Sequence, residues 1–221
     1  MTEPLRDKNG LTEEEFLAAY SPKDYPRPSL TADNCIFRVG PDGTLKLLLI
    51  RRGGHPFLGC WALPGGFVSP GETALEASRR ELHEETGVEG LSLEPVGLYS
   101  APGRDPRGWT ISQAHIAVDS HGVTAHAGDD AAAAAWFDID STEEDGRTQL
   151  TLTSGDTTLT SSFAVEPGAV TGTPHSRDVH GEGLAFDHAQ IIADAWLLLS
   201  HSRRSKYDKG TVPLSHFSRY L

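Results

Sequence analysis

The stretch GFVSPGETALEASRRELHEETGV, residues 66–88, decides how this chain is read. The segment from Thr73 to Thr86 is the strongest helix in the sequence. Leu75, Ser78 and Leu82 recur at helical spacing as one inward stripe, and Gly87 is a natural left-handed stop. On such a helix Glu81 lies three residues from Glu84 and four from Glu85, so the three carboxylates share one side. That clustering is unfavourable unless something positive sits among them. Hard divalent cations take oxygen ligands, and a few carboxylates completed by substrate phosphates meet that need. The approach Leu63-Pro64-Gly65-Gly66 allows backbone carbonyls to come close to the same ions. Taken alone, three glutamates on a helix read as a solvated face.

The whole spacing changes that balance. Five residues separate Gly66 from Glu72, and seven more lead to Arg80-Glu81-Leu82-His83-Glu84-Glu85-Thr86-Gly87-Val88. Every defined position matches the Nudix box, a highly specific pattern. Outside the box, Tyr25-Pro26-Arg27-Pro28, His55-Pro56-Phe57 with Trp61–Phe67, Gly103–Gly108 and Leu184–Ala189 are less specific. They resemble the bacterial ADP-ribose pyrophosphatase-like subgroup of Nudix hydrolases. The resemblance spans about residues 12–137 and 184–200. It implies a Nudix α/β/α sandwich with a mixed sheet, and an enzyme that hydrolyses a nucleoside diphosphate linked to another moiety. It implies Mg²⁺ or Mn²⁺ as cofactor, with Glu81 and Glu85 as principal ligands and Glu84 as a third, direct or through water. Gly65 or Gly66 should offer a carbonyl near the metal, and Glu72 with Arg80 should brace the loop against the helix. Metal ions neutralise pyrophosphate and lower the pKa of the attacking water.

Substrate and base are less defined. Arg104 and Arg107, in the loop Pro102–Gly108, read either as phosphate or ribose contacts or as part of a turn made by Asp105 and Pro106. Arg52 ends a strand, where it either meets substrate or is solvated. Tyr25 either stacks on adenine or packs on the short helix. His188 reads as a structural hydrogen-bonder, and Trp61 and Trp136 as core or loop anchors. The resemblance suggests an acid on a late loop as catalytic base. Asp129 and Asp130 are the available pair, and Asp130 is the choice carried forward; a helix glutamate, Glu84 or Glu85, is the alternative.

The rest of the chain reads as one Nudix domain over 1–221. Residues 1–28 hold a short helix, with a capping box at Thr12–Glu15 and Phe16, Leu17 and Tyr20 on its apolar side, followed by an irregular connector. Leu30–Val39 and Leu45–Ile50 form a hairpin, with further strands near Leu93–Tyr99, Thr110–Val118 and Ala133–Phe137. Residues 138–182 are an insertion with a β-hairpin, Gln149–Thr153 with Thr157–Val165, which could extend the sheet, cover the pocket or build a dimer interface. Leu184–Leu199 is a second helix, inside a closing segment 184–200, and 201–221 is a tail.

Composition narrows the partners. The 221 residues are 38% hydrophobic and 23% charged, enough for a normal core. Lys and Arg number 19 against 31 Asp and Glu, a net −12, a poor balance for nonspecific duplex binding. No apolar run approaches the roughly 20 residues that span a bilayer. Two cysteines and a polar N-terminus fit a reduced cytoplasmic compartment. A small nucleoside diphosphate partner, no membrane and a homodimer are expected. Two other functions stay open. One is a metabolite-sensing regulator without turnover, disfavoured by the intact carboxylates and by only 14 residues after Tyr207 for a DNA-binding module. The other is an oxidised-nucleotide hydrolase.

Overall fold

The computed structural model describes residues 4–21, 25–40, 43–120, 122, 124–126 and 131–207. The expected hairpin is β1 (Ser29–Val39) and β2 (Leu45–Arg52), antiparallel with Phe37 opposite Leu47. Alternation along these strands sorts side chains to two faces. Cys35, Phe37, Leu47 and Leu49 join one core cluster, and Ile36 and Leu48 another. Two short strands follow, β3 (Trp61–Ala62) on β2 and β4 (Gly65–Phe67) on β1. Register sets Gly65 opposite Asp33 and Gly66 opposite Ala32.

The motif helix is α2 in chain order, Ala74–Thr86. The short N-terminal helix α1 spans Glu13–Ala19 and carries the expected capping box on Thr12. A second capping box starts α2: the Thr73 hydroxyl accepts the Glu76 N–H, and the Glu76 carboxylate accepts the Thr73 N–H at 2.7 Å. Gly87, at φ 69°, closes the helix and donates to the His83 carbonyl. The buried stripe is Ala77, Ser78, Leu82 and Thr86, while Leu75 is only half-buried.

Strands β5 (Glu94–Tyr99), β6 (Thr110–Asp119), β7 (Ala131–Glu144), β8 (Arg147–Ser154), β9 (Thr157–Pro167) and β10 (Pro174–Glu182) complete one mixed sheet. Its order is β10-β9-β8-β7-β2-β1-β6-β5, with β1 and β6 parallel. Helix α3 (His188–Tyr207) lies on the face opposite α2. Ile191, Ile192 and Ala195 pack with Phe37, Phe137 and Phe163, while Leu82 and Val88 pack with Ile36 and Ala117. Trp61 sets its ring edge-to-face on Phe137, and Arg38 lies over Trp136.

Three details differ from the sequence reading. The 138 boundary falls inside β7, a continuous strand that pairs with β2 in its first half and β8 in its second. The hairpin is present as β8 and β9, and a further strand, β10, extends it. Its alternation is broken by a bulge between Arg177 and His180, with Asp178 at φ 52°, which hides it from a period-two reading. Finally, α3 starts at His188 rather than Leu184. Leu184 bridges to Trp61, the Ala185 N–H donates to the Trp61 carbonyl at 2.8 Å, and Phe186 sits at φ 52°. On the apolar side of α1, Phe16, Leu17 and Tyr20 are exposed, with Tyr20 in contact with Phe16 and Tyr25. Both cysteines are free thiols. Among the described residues, no helix is long and apolar enough to cross a membrane.

Candidate active site

Antiparallel pairing of β4 with β1 lays Gly65 and Gly66 against the carboxylate side of α2. A Cβ on Gly66 would lie 2.4 Å from the Glu81 carboxylate, and one on Gly65 would lie 2.2 Å from the Ala32 carbonyl oxygen. Glycine is therefore required for this close approach. The Gly65 N–H donates to Glu85 Oε2 at 2.8 Å. Arg80 gathers the other acids. It donates to Glu72 at 2.7 Å, Glu81 at 2.7 Å, Glu84 at 3.1 Å and the Phe67 carbonyl at 3.0 Å. This is the expected brace, and it holds the Glu72 carboxyl at about 2.

Glu85 has no such partner. Burial, reinforced by the charges of Glu81 and Asp33, pushes its carboxyl up to about 8 against the opposing Gly65 N–H and Arg52. At neutral pH it therefore keeps its proton, which a bound cation would displace.

Across the glycines lies a pocket lined by Arg52, Arg104, Arg107, Asp33, Phe67 and Phe186, among others. The three predicted arginines do converge, but they differ in what they are free to do. Arg104 is almost wholly buried and clamped by Asp187 through bonds of 2.7 and 2.6 Å. Arg107 is paired with Asp105 at 2.7 Å and stacks over Phe67 and Phe186, at 4.8 and 5.4 Å from the ring centroids. Arg52 donates to the Pro56 carbonyl at 2.8 Å and lies 4.9 Å over Phe186. Burial and the charge of Arg107 lower its pKa from the ordinary value. The pocket thus holds Arg52 without an ion-pair partner among the described residues, with the Glu85 carboxyl on the far side of Gly65.

The start of α3 fastens these walls together. The His188 Nδ1 accepts the Leu63 N–H at 2.9 Å, just before the two glycines, and burial holds the imidazole at about 4, so it stays neutral. Asp187 holds Arg104, and Phe186 supplies the ring beneath Arg52 and Arg107. Asp33 is buried beside them, bonded to Ser112, with Arg104 at 4.0 Å; burial raises its pKa.

Among the described residues, no three acid, histidine or cysteine side chains already converge as an ion cage, because Arg80 sits among Glu72, Glu81 and Glu84. The donor chemistry nevertheless fits a hard divalent cation. Glu81, Glu84, Glu85 and the carbonyls of Gly65 and Gly66 are all oxygen donors. Gly66 leaves the Glu81 carboxylate open to approach, and Glu85 forms no ion pair among the described residues.

The remaining candidates lie apart. Tyr25 is exposed, stacks on Tyr20 at 6.4 Å between centroids, and does not line the pocket. Asp129 and Asp130 fall outside the described residues. Sequence reasoning gave no site role to Asp33, Phe67 or Phe186. The polar pair Asp33-Asn34 inside an apolar strand was the one signal for the first of these.

The NUDIX domain family matches residues 30–154. An ADP-ribose pyrophosphatase of Methanocaldococcus jannaschii is 46% identical over 115 residues, 52% of this chain and 64% of that protein. The ADPR responsive transcriptional repressor NtrR of Acinetobacter baylyi is 40% identical over 112 residues, 50% of this chain and 44% of that protein. The chain thus spans less than two thirds of the length of these curated relatives. The NUDIX domain of Shewanella oneidensis NrtR, solved with ADP ribose, superposes with a TM-score of 0.60 at 27% identity. That match covers 88% of this chain and 99% of that one. The fold is the Nudix α/β/α sandwich.

Proposed function

The chain belongs to the NUDIX domain family, and on that premise we propose that it is a metal-dependent pyrophosphohydrolase cleaving ADP-ribose to AMP and ribose 5-phosphate. The observation that carries this reading is the placement of the α2 carboxylates Glu81 and Glu85 on one side of Gly65 and Gly66 and of Arg52 in the pocket on the other. A pyrophosphate with a divalent cation answers both at once. Relatives of this chain are named for hydrolysing or responding to ADP-ribose, and one NUDIX domain of the same fold was solved with it.

Arg52 and Arg107 bind the phosphate oxygens, and the two glycines let the anhydride approach the α2 carboxylates. Glu81, Glu84, Glu85 and the Gly65 and Gly66 carbonyls would hold Mg²⁺ or Mn²⁺. Such an ion neutralises the pyrophosphate and lowers the pKa of the attacking water. The water oxygen bonds to one phosphorus as its bridging P–O bond breaks, and the bridging oxygen leaves on the other phosphate. A helix carboxylate, Glu84 or Glu85, takes the water's proton in this reading, with Asp130 as the other acid offered by the sequence. Arg104 positions the loop through Asp187. We further read the protein as a cytoplasmic homodimer. Its free thiols suit a reducing compartment, and the uncovered side of α1 suits a subunit contact.

The test is product release from ADP-ribose, NADH, a nucleotide sugar, a diadenosine polyphosphate and an oxidised dGTP, with Mg²⁺ and with EDTA. Metal-dependent AMP and ribose 5-phosphate from ADP-ribose, well above the rest, is the expected outcome. A preference for oxidised dGTP would move the substrate. Tight ADP-ribose binding without turnover on any compound would favour the sensing role that the repressor relative suggests.

A further inference from the structure

We propose that the nucleoside half of the substrate, which takes no part in bond breaking, binds in a second cleft between β5 and β10 at the start of α3. This rests on the pyrophosphohydrolase reading above. Size motivates it. The arginine-lined pocket measures about 70 Å³, room for a few waters at roughly 10–15 Å³ each. That suits phosphate groups and cannot enclose a nucleoside. The second cleft measures about 540 Å³, inside the ~300–1,000 Å³ range of small-molecule sites.

The two spaces adjoin at Phe186, which lines both. Phosphates seated against Arg52 and Arg107 therefore have a path past Phe186 into the larger space. Its walls choose between the two halves of ADP-ribose. Leu98, Val179 and Leu184 are apolar, and Tyr99 adds an aromatic ring whose hydroxyl is already committed to Asp194 at 2.9 Å. The Gln190 amide nitrogen donates to Ser176 Oγ at 2.6 Å and Asp194 Oδ2 at 3.1 Å, so its carbonyl oxygen is the group this lining residue has to offer a ligand amine. A flat heterocycle with an amino edge suits these walls. A further phosphate does not, since the one charged side chain among the described lining residues is Asp187, already paired with Arg104.

Val179 belongs to β10, so the segment 138–182 supplies part of the cleft. This gives the insertion a role in substrate selection in addition to extending the sheet.

Two substitutions fill the cleft from opposite sides, Val179→Trp on β10 and Leu98→Trp on β5. Leu98 is exposed, so its replacement leaves the core untouched even if the first variant fails to fold. Calorimetry with AMP, ADP-ribose, ribose 5-phosphate and pyrophosphate is the readout, with thermal unfolding as the check on folding. AMP and ADP-ribose should weaken about tenfold or more, as lost apolar contacts do, while ribose 5-phosphate and pyrophosphate stay unchanged. Unchanged AMP and ADP-ribose binding in a folded variant overturns the cleft and leaves the hydrolase reading standing. Weakened ribose 5-phosphate with unchanged AMP overturns the choice of occupant. A wild-type protein that binds neither AMP nor ADP-ribose overturns both readings.

Discussion

Helix α2 backs the pocket through Gly65 and Gly66, while the start of α3 lines it directly, and the two bring opposite kinds of group. On α2, Glu85 is half-buried without an ion-pair partner among the described residues, and its carboxyl is driven up to about 8. At the start of α3 the groups beside the arginines are already committed: Asp187 to Arg104, His188 to the Leu63 N–H. Unsatisfied charge is costly in a folded chain and is relieved by a ligand. Satisfied charge fixes geometry. The two helices thus divide the work, with chemistry on α2 and placement on α3.

The division can be broken from the α3 side. Asp187→Ala strands the Arg104 guanidinium, whose side chain is 4% exposed. Removing one partner of such a buried pair costs about 3 kcal/mol, which the urea unfolding midpoint will report with or without metal. A loss below about 1 kcal/mol would show that the pair does not hold the wall.

The two glycines separate the roles more finely. Gly65→Ala drives a Cβ into the Ala32 backbone, and such overpacking costs about 1–3 kcal/mol. Gly66→Ala meets only the end of the Glu81 side chain, which can swing aside. Stability should stay within about 0.5 kcal/mol of wild type, yet turnover should fall because Glu81 is displaced. Equal stability losses for the two substitutions would contradict this reading.

The smallest expected effect is a pH dependence. Glu85 is raised from 4.5 to about 8, so the stability it lends is full below pH 4.5 and is lost as pH rises through about 8. His188 is lowered from 6.5 to about 4, so its contribution is lost as pH falls from 6.5 toward 4. Between pH 6.5 and 8 only Glu85 of this pair acts. The metal-free protein should lose about 1–2 kcal/mol over that window, and Mg²⁺ should flatten the slope. A flat profile without metal would mean that Glu85 has a partner after all.

Legibility in the sequence follows the same division. The α2 side is local: the helix period, the carboxylate spacing and the Gly87 stop all lie within residues 66–88. Helix geometry alone brings those groups together. The placement side is assembled across the chain. Arg104 and Asp187 are 83 residues apart, and Leu63 and His188 are 125 apart. No spacing rule connects them. Phe186 reaches the pocket because its backbone takes φ 52°, a conformation that residue type does not signal. Strand β10 stayed hidden because its bulge breaks the alternation that marks a strand, and Tyr25 joined its helical neighbour Tyr20 rather than the pocket.

The most direct measurement is turnover of ADP-ribose by Glu85→Gln beside wild type, with Mg²⁺, alongside metal-free unfolding of both at pH 8. Turnover should fall about 100-fold or more, while stability stays equal to or above wild type, because the amide removes an uncompensated charge. Retention of most activity by Glu85→Gln, or a clear loss of stability in the metal-free protein, would contradict the assignment of α2 as the seat of the chemistry.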